Sequence, residues 1–146
     1  MQQGVMDAAP LDAPVRRRTE RVAPVPMLVT DLDRATFDNR DFRRVLWTTA
    51  RAQLVLMSLP VGARLATELH EAGDQFLKFE SGVAEVIVDG RALMLSGGES
   101  IHVPAGGRHS VRNASSTRSL QLYTLYTPPV HPPGTVQRVQ PVEGRE

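Results

Sequence analysis

The 146-residue chain is sized for one domain, with 41% hydrophobic and 23% charged residues and a formal net charge of +1, an ordinary soluble balance with one core. That charge creates no overall field toward nucleic acid or an anionic membrane. The absence of cysteine removes disulfides, thiolate nucleophiles and cysteine-ligated metal centres.

Residues 1–26 read as a flexible tail, punctuated by Pro10, Pro14, Pro24 and Pro26 and carrying the charged run "RRRTER" from Arg16 to Arg21. Its first 15 residues lack a basic n-region followed by an apolar h-region, so they are not an ordinary secretory signal. No apolar run approaches the about 20 residues that span a bilayer. A cytoplasmic location with no nucleic-acid or membrane partner is therefore expected.

The domain is expected over residues 27–146. "DLDRATFDNRDF" suits a short helix or turn, leading into a strand at Arg44–Thr48. Apolar density predicts a strand over Ala52–Pro60, turned at Val61-Gly62. "ARLATELH" continues extended to the loop "EAGD", and "QFLKFESG" is a strand closed by Gly82. "VAEVIVDGRALML" has two β-rich arms joined by Asp89-Gly90, the pair a type I′ hairpin turn asks for. "SIHVP", the strand after "AGG", and "SLQLYTLYT" complete the series. The segment "PPVHPPGTVQ" is too rich in proline for a central strand and is expected to lie extended across a surface. Trp47 and the run Phe76–Phe79 are expected in the core. Many short strands between turn signals indicate an all-β sandwich or barrel.

Strand parity then selects side chains. Alternate residues of an extended chain share a face, so Glu68 and His70 point together. Gln75 shares the apolar face of Leu77 and Phe79, and His109 that of Val111 and Asn113. Four polar groups can thus look into one barrel, where an unpaired carboxylate, imidazole or amide is costly. A divalent cation would satisfy all four, whereas an apo barrel would have to pair them with one another and with trapped water. Gln75 has a second reading, as a hydrogen-bonding support beside three protein ligands. His102, out of phase with Ile101 and Val103, reads as a surface or supporting residue. His131 reads as a cap on the barrel rim or as a pocket residue. The odd spacing of Tyr123 and Tyr126 lets only one face inward. Lys78 alternates away from Gln75.

These residues carry a resemblance. Gly98, Pro104, Gly106, His109 and Asn113 stand at the intervals of the second motif of the cupin superfamily. Gly62, Glu68, His70, Gln75 and Gly82 keep the spacing of its first motif, with glutamate for the first histidine and glutamine for the usual glutamate. The resemblance covers roughly Arg43 to Val136. It implies an all-β double-stranded β-helix, a jelly-roll barrel with an irregular N-terminal arm, and a homodimer closing an exposed sheet edge. Asp74-Gln75-Phe76 and "LYTLYTPPVHPPGT" also resemble small single-domain cupins of the mannose-6-phosphate-isomerase-like group, where the Glu/Gln exchange is a family trait.

The implied ligand set, Glu68, His70, Gln75 and His109, keeps one carboxylate and exchanges a nitrogen donor for a neutral oxygen. That set suits manganese, iron or zinc, with copper or nickel less favoured than at a three-histidine site. Tyr123, Tyr126, His102 and His131 are pocket candidates. The functional expectation is a metal-dependent enzyme on a small polar molecule, sugar-like or an oxo-acid, working by isomerisation or oxygen-dependent cleavage. The alternative is a non-catalytic module that binds a small molecule or metal. A phosphosugar would want basic groups at the barrel mouth, for which Arg64 and Arg108 are the candidates. No Gly-x-Ser-x-Gly elbow, Gly-x-Gly-x-x-Gly turn or P-loop offers another chemistry.

Overall fold

The computed structural model describes residues 25–142, so residues 1–24 of the expected flexible arm lie outside the described residues. One short helix, α1 (Leu32–Asp38), precedes ten strands: β1 (Arg43–Thr48), β2 (Gln53–Leu59), β3 (Glu68–Leu69), β4 (Asp74–Ser81), β5 (Val83–Val88), β6 (Arg91–Ser96), β7 (Ser100–Val103), β8 (Arg108–Asn113), β9 (Leu120–Thr127) and β10 (Val136–Gln137). They form a six-stranded sheet in the order β10-β1-β2-β9-β4-β7 and a four-stranded sheet in the order β3-β8-β5-β6. Every pairing is antiparallel.

The core follows from two-residue alternation. On β4, Gln75, Leu77 and Phe79 are buried while Phe76, Lys78 and Glu80 are only partly covered. Leu77 and Phe79 meet Val55, Met57 and Leu59 of β2, Val86 of β5, Val111 of β8 and Leu122 of β9 in one apolar cluster. β2 is buried on both faces, because α1 packs against β2, β4 and β9 on the outside. Asp31 caps α1 at its start by accepting from the Arg34 amide at 3.1 Å, satisfying one free donor of the first turn. At the other end the Gln121 amide donates to the carbonyls of Phe37 and Asn39.

The hairpin turn is as expected: Asp89 has φ +47° and Gly90 φ +81°, with Val88 opposite Arg91. Positive φ at both central residues matches the right-handed twist of the flanking strands. Gly82 is a different case, since it combines φ +96° with a close approach. A Cβ there would stand 2.7 Å from the Ser119 carbonyl oxygen, so only glycine lets β4 turn into β5 under that loop.

Two core expectations need correction. Phe76 lies on the outer face of β4, its ring 6.5 Å from Tyr123. Trp47 is half-buried, because the register of β1 against β2 shifts between Val45 and Trp47 and breaks the alternation.

The proline-rich segment bends at Pro128 and His131 and turns at Pro133-Gly134 rather than running extended, and it ends as β10, paired with β1 through Arg43↔Gln137 and Arg44↔Val136. One residue of β2 fastens it. Gln53, fully buried, donates through Nε2 to the His131 carbonyl at 2.7 Å and to Thr48 Oγ1 at 3.0 Å. Its Oε1 accepts from the amides of Val130 and His131. Gln53→Leu keeps the volume and strands these partners, so urea denaturation is expected to show a loss of about 2–4 kcal/mol. An unchanged midpoint would mean that the segment is held by something else.

Candidate metal centre

Register brings the four expected polar groups together from both sheets. Glu68 of β3 is the cross-strand partner of His109 on β8. Gln75 of β4 is the partner of Tyr126 on β9, and His70 follows directly after β3. Ligand atoms of Glu68, His70 and His109 all lie within 4.8 Å of one another. Glu68 Oε2 stands 3.1 Å from His70 Nε2 and 3.8 Å from His109 Nε2. Two ligand atoms at about 2.1 Å from one ion stand about 3.0 Å apart at a right angle and about 3.4 Å apart at a tetrahedral angle. The spacing therefore suits one shared ion.

Hydrogen bonding tests the fit further. His109 is buried, with Nδ1 3.1 Å from the Gly107 carbonyl and Nε2 2.7 Å from Gln75 Oε1. Both oxygens only accept, and a neutral imidazole has one proton to give. With Nδ1–H donated to Gly107, the Nε2 lone pair meets the lone pairs of Gln75 Oε1. In this orientation the Gln75 amide nitrogen donates to Thr124 Oγ1 at 3.1 Å, which turns Oε1 toward His109. A proton or a metal ion at Nε2 satisfies both acceptors, and the nearby Glu68 carboxylate favours positive charge there. The donor set thus fits a divalent cation, with His109 oriented by the backbone as ligating imidazoles usually are.

The centre is open on one side. His109 is 4% exposed in its side chain, His70 22% and Glu68 31%. Beside it lies a cleft of about 470 Å³ lined by His70, Asp74, Tyr126, Pro128, Pro129 and Val130. Tyr126 is the inward tyrosine, buried, with its ring edge-on to His70 at 5.8 Å. Burial, reinforced by the charge of Glu68, raises its phenol well above the usual range, so it stays protonated and able to donate.

The remaining candidates divide. Tyr123 faces outward beside Phe76 and Lys78 and takes no part in the cleft. His102, 58% exposed, sits 3.5 Å from Asp74 at the rim. His131 is closer in, its ring edge-on to Tyr126 at 5.5 Å. Arg64 and Arg108 are exposed and outside the cluster, so neither supplies the basic group a phosphosugar would want. Arg43 was missed. Its signal was parity, since it shares the inward face of β1 with the buried Val45.

His131 supplies a pH test. Burial holds its pKa below the ordinary 6.5, the Arg43 and His70 charges adding to the effect and Glu68 opposing it. As pH falls through about 6.5 the unfolded chain takes up a proton that the folded chain resists, so stability declines on the acid side. In metal-stripped protein the melting temperature is expected to fall between about pH 7.5 and about pH 5, and less steeply in His131→Phe. Parallel curves for the two proteins would contradict this assignment.

Residues 55–126 match the model of the cupin domain. The chain is 37% identical over 120 residues to the uncharacterized protein L612 of Acanthamoeba polyphaga mimivirus, covering 80% of this chain and 74% of that one. The chain belongs to the cupin superfamily. This cupin is also 38% identical over 123 residues to the uncharacterized protein YrkC of Bacillus subtilis, covering 80% of this chain and 65% of YrkC; it thus spans less than two thirds of that relative's length. Among solved structures, BH2720 from Bacillus halodurans superposes with a TM-score of 0.72 at 39% identity, over 80% of this chain and 91% of that one. Among the described residues, no helix is long and apolar enough to cross a membrane.

Proposed function

We propose that this cupin is a metal-dependent enzyme acting on a small polar molecule in the cleft over His70 and Tyr126. The carrying observation is the convergence of Glu68, His70 and His109, with Gln75 against His109, at one open edge of the barrel. Glu68, His70 and His109 would hold the ion, and Gln75 would complete the set through Oε1. A bound divalent ion supplies Lewis acidity for isomerisation, or a platform for oxygen-dependent cleavage.

The chain's own residues would do the rest. Tyr126, protonated and buried, donates its hydroxyl toward a substrate oxygen. The Pro128–Val130 wall excludes water from one side of the cleft. Gly107, through its carbonyl, fixes the His109 ring. The "LYTLYTPPVHPPGT" signature favours the mannose-6-phosphate-isomerase-like group within the superfamily, whereas the outward Arg64 and Arg108 favour a substrate other than a phosphosugar.

The test is elemental analysis of protein purified without added metal, then oxygen-uptake and aldose–ketose screens with manganese, iron and zinc. Turnover that disappears in both His70→Ala and His109→Ala, with folding intact, supports the enzyme. Bound metal without turnover on either class supports a binding module instead.

A further inference from the structure

The end of the barrel away from the triad carries a second polar constellation. Register sets Ser58 of β2, Gln121 of β9 and Ser81 of β4 side by side in one row across the sheet. Ser81 lies six residues beyond Gln75 along β4, roughly 20 Å at the usual strand rise. The row lines a cleft of about 310 Å³ together with Phe37, Arg40 and Arg118. A neighbouring cleft of about 300 Å³ shares Arg40 and Ser58 and adds Arg138. No carboxylate lines either one.

Among the described residues, no carboxylate pairs with any of these three arginines. Glu80, which borders an adjoining cleft with Arg118, is held by Lys78, and Asp41 is held by Arg44. The carbonyls at the end of α1 would repel an anion, but they are already occupied. Those of Phe37 and Asn39 accept from Gln121 Nε2 and from Arg40 Nη1. Arg40 keeps its Nε and Nη2 donors for a ligand.

Ser58 points to a ligand independently of charge. It is 8% exposed, and its amide donates to the carbonyls of Asp41 and Phe42. Its hydroxyl has no partner among the described residues, although buried polar groups are nearly always paired. Because it shares one cleft with Arg40 and Arg118, a single small molecule can meet all three.

We propose that this cleft binds a phosphoryl group, with Arg40 and Arg118 against its oxygens and the Ser58 hydroxyl donating to one of them. Guanidinium edges match phosphate oxygens and can bind them bidentately. A phosphate fits better than a carboxylate, because two unpaired cations answer a dianion and Arg138 adds to the local field. Phe37, 51% exposed, offers an apolar wall for the rest of a phosphate monoester. The site stands apart from the metal-enzyme reading, since the cleft over His70 and Tyr126 has no arginine in its wall.

The experiment is isothermal titration of the full chain at low salt with inorganic phosphate, phenyl phosphate and malonate, repeated after metal removal. Arg118→Met is expected to weaken phosphate binding at least about tenfold, and Ser58→Ala roughly threefold. Arg118→Met is the primary variant, because Arg40 also ties down the end of α1 whereas the Arg118 guanidinium makes no hydrogen bond within the described residues. Phenyl phosphate binding more tightly than inorganic phosphate supports a monoester as the occupant; equal or weaker binding supports free phosphate. Phosphate affinity unchanged in folded Arg118→Met overturns the proposal, as does malonate bound as tightly as phosphate or no phosphate binding at millimolar concentration. Phosphate binding that disappears with the metal overturns it too, because it places the anion on the triad.

Discussion

His109→Ala is expected to lower divalent-metal affinity at least about a hundredfold, beyond the 10- to 100-fold typical of losing a group that only supports a ligand. His109 is the buried member of the candidate set, 4% exposed and held through Nδ1 by the Gly107 carbonyl. Its removal leaves Glu68 and His70 at the open edge, with Gln75 Oε1 facing space that alanine cannot fill. The measurement is metal content after dialysis against a weak chelator, with circular dichroism to establish that the variant folds. Metal retained at the wild-type level would place the ion elsewhere.

Phe79→Ala should do the reverse. Phe79 is fully buried at the centre of the core cluster, and its truncation leaves a cavity that two sheets cannot collapse to fill. Chemical denaturation is expected to show a loss of about 3–5 kcal/mol. Gln75 lies four residues up the same face of β4, about 13 Å away at the usual strand rise. The folded variant should therefore bind metal with wild-type stoichiometry. Loss of metal together with stability would mean that the core and the centre are one cooperative unit.

The strands were legible because their signals are local. Alternation along β4 told Gln75 from Lys78, and Asp89-Gly90 marked its hairpin by the positive φ both residues must adopt. The same parity put His109 inside and allowed only one of Tyr123 and Tyr126 to face inward. Trp47 was misread because the irregularity in β1 interrupts the two-residue period without a glycine to announce it. Arg43 and His131 were harder still. Their places beside Glu68 and Tyr126 depend on the C-terminal segment returning to pair with β1, a contact between residues more than 90 positions apart in the pair Arg43–Gln137. Nothing local specifies that return. The buried glutamine that fastens it, Gln53, reads in sequence as one polar residue at the start of an apolar strand. His102 shows the converse: a histidine beside a motif proline looks significant, yet β7 lies at the edge of its sheet and leaves the ring 58% exposed.

Electron-spin-echo modulation spectroscopy of copper-loaded protein tests the shared-ion centre most directly, since copper binds such nitrogen and oxygen sets strongly and the method registers coordinated imidazole. Wild type is predicted to show two imidazoles on one ion per chain, with one lost in His70→Ala and the other in His109→Ala. Modulation from two imidazoles that survives both substitutions, or none in wild type, would contradict it.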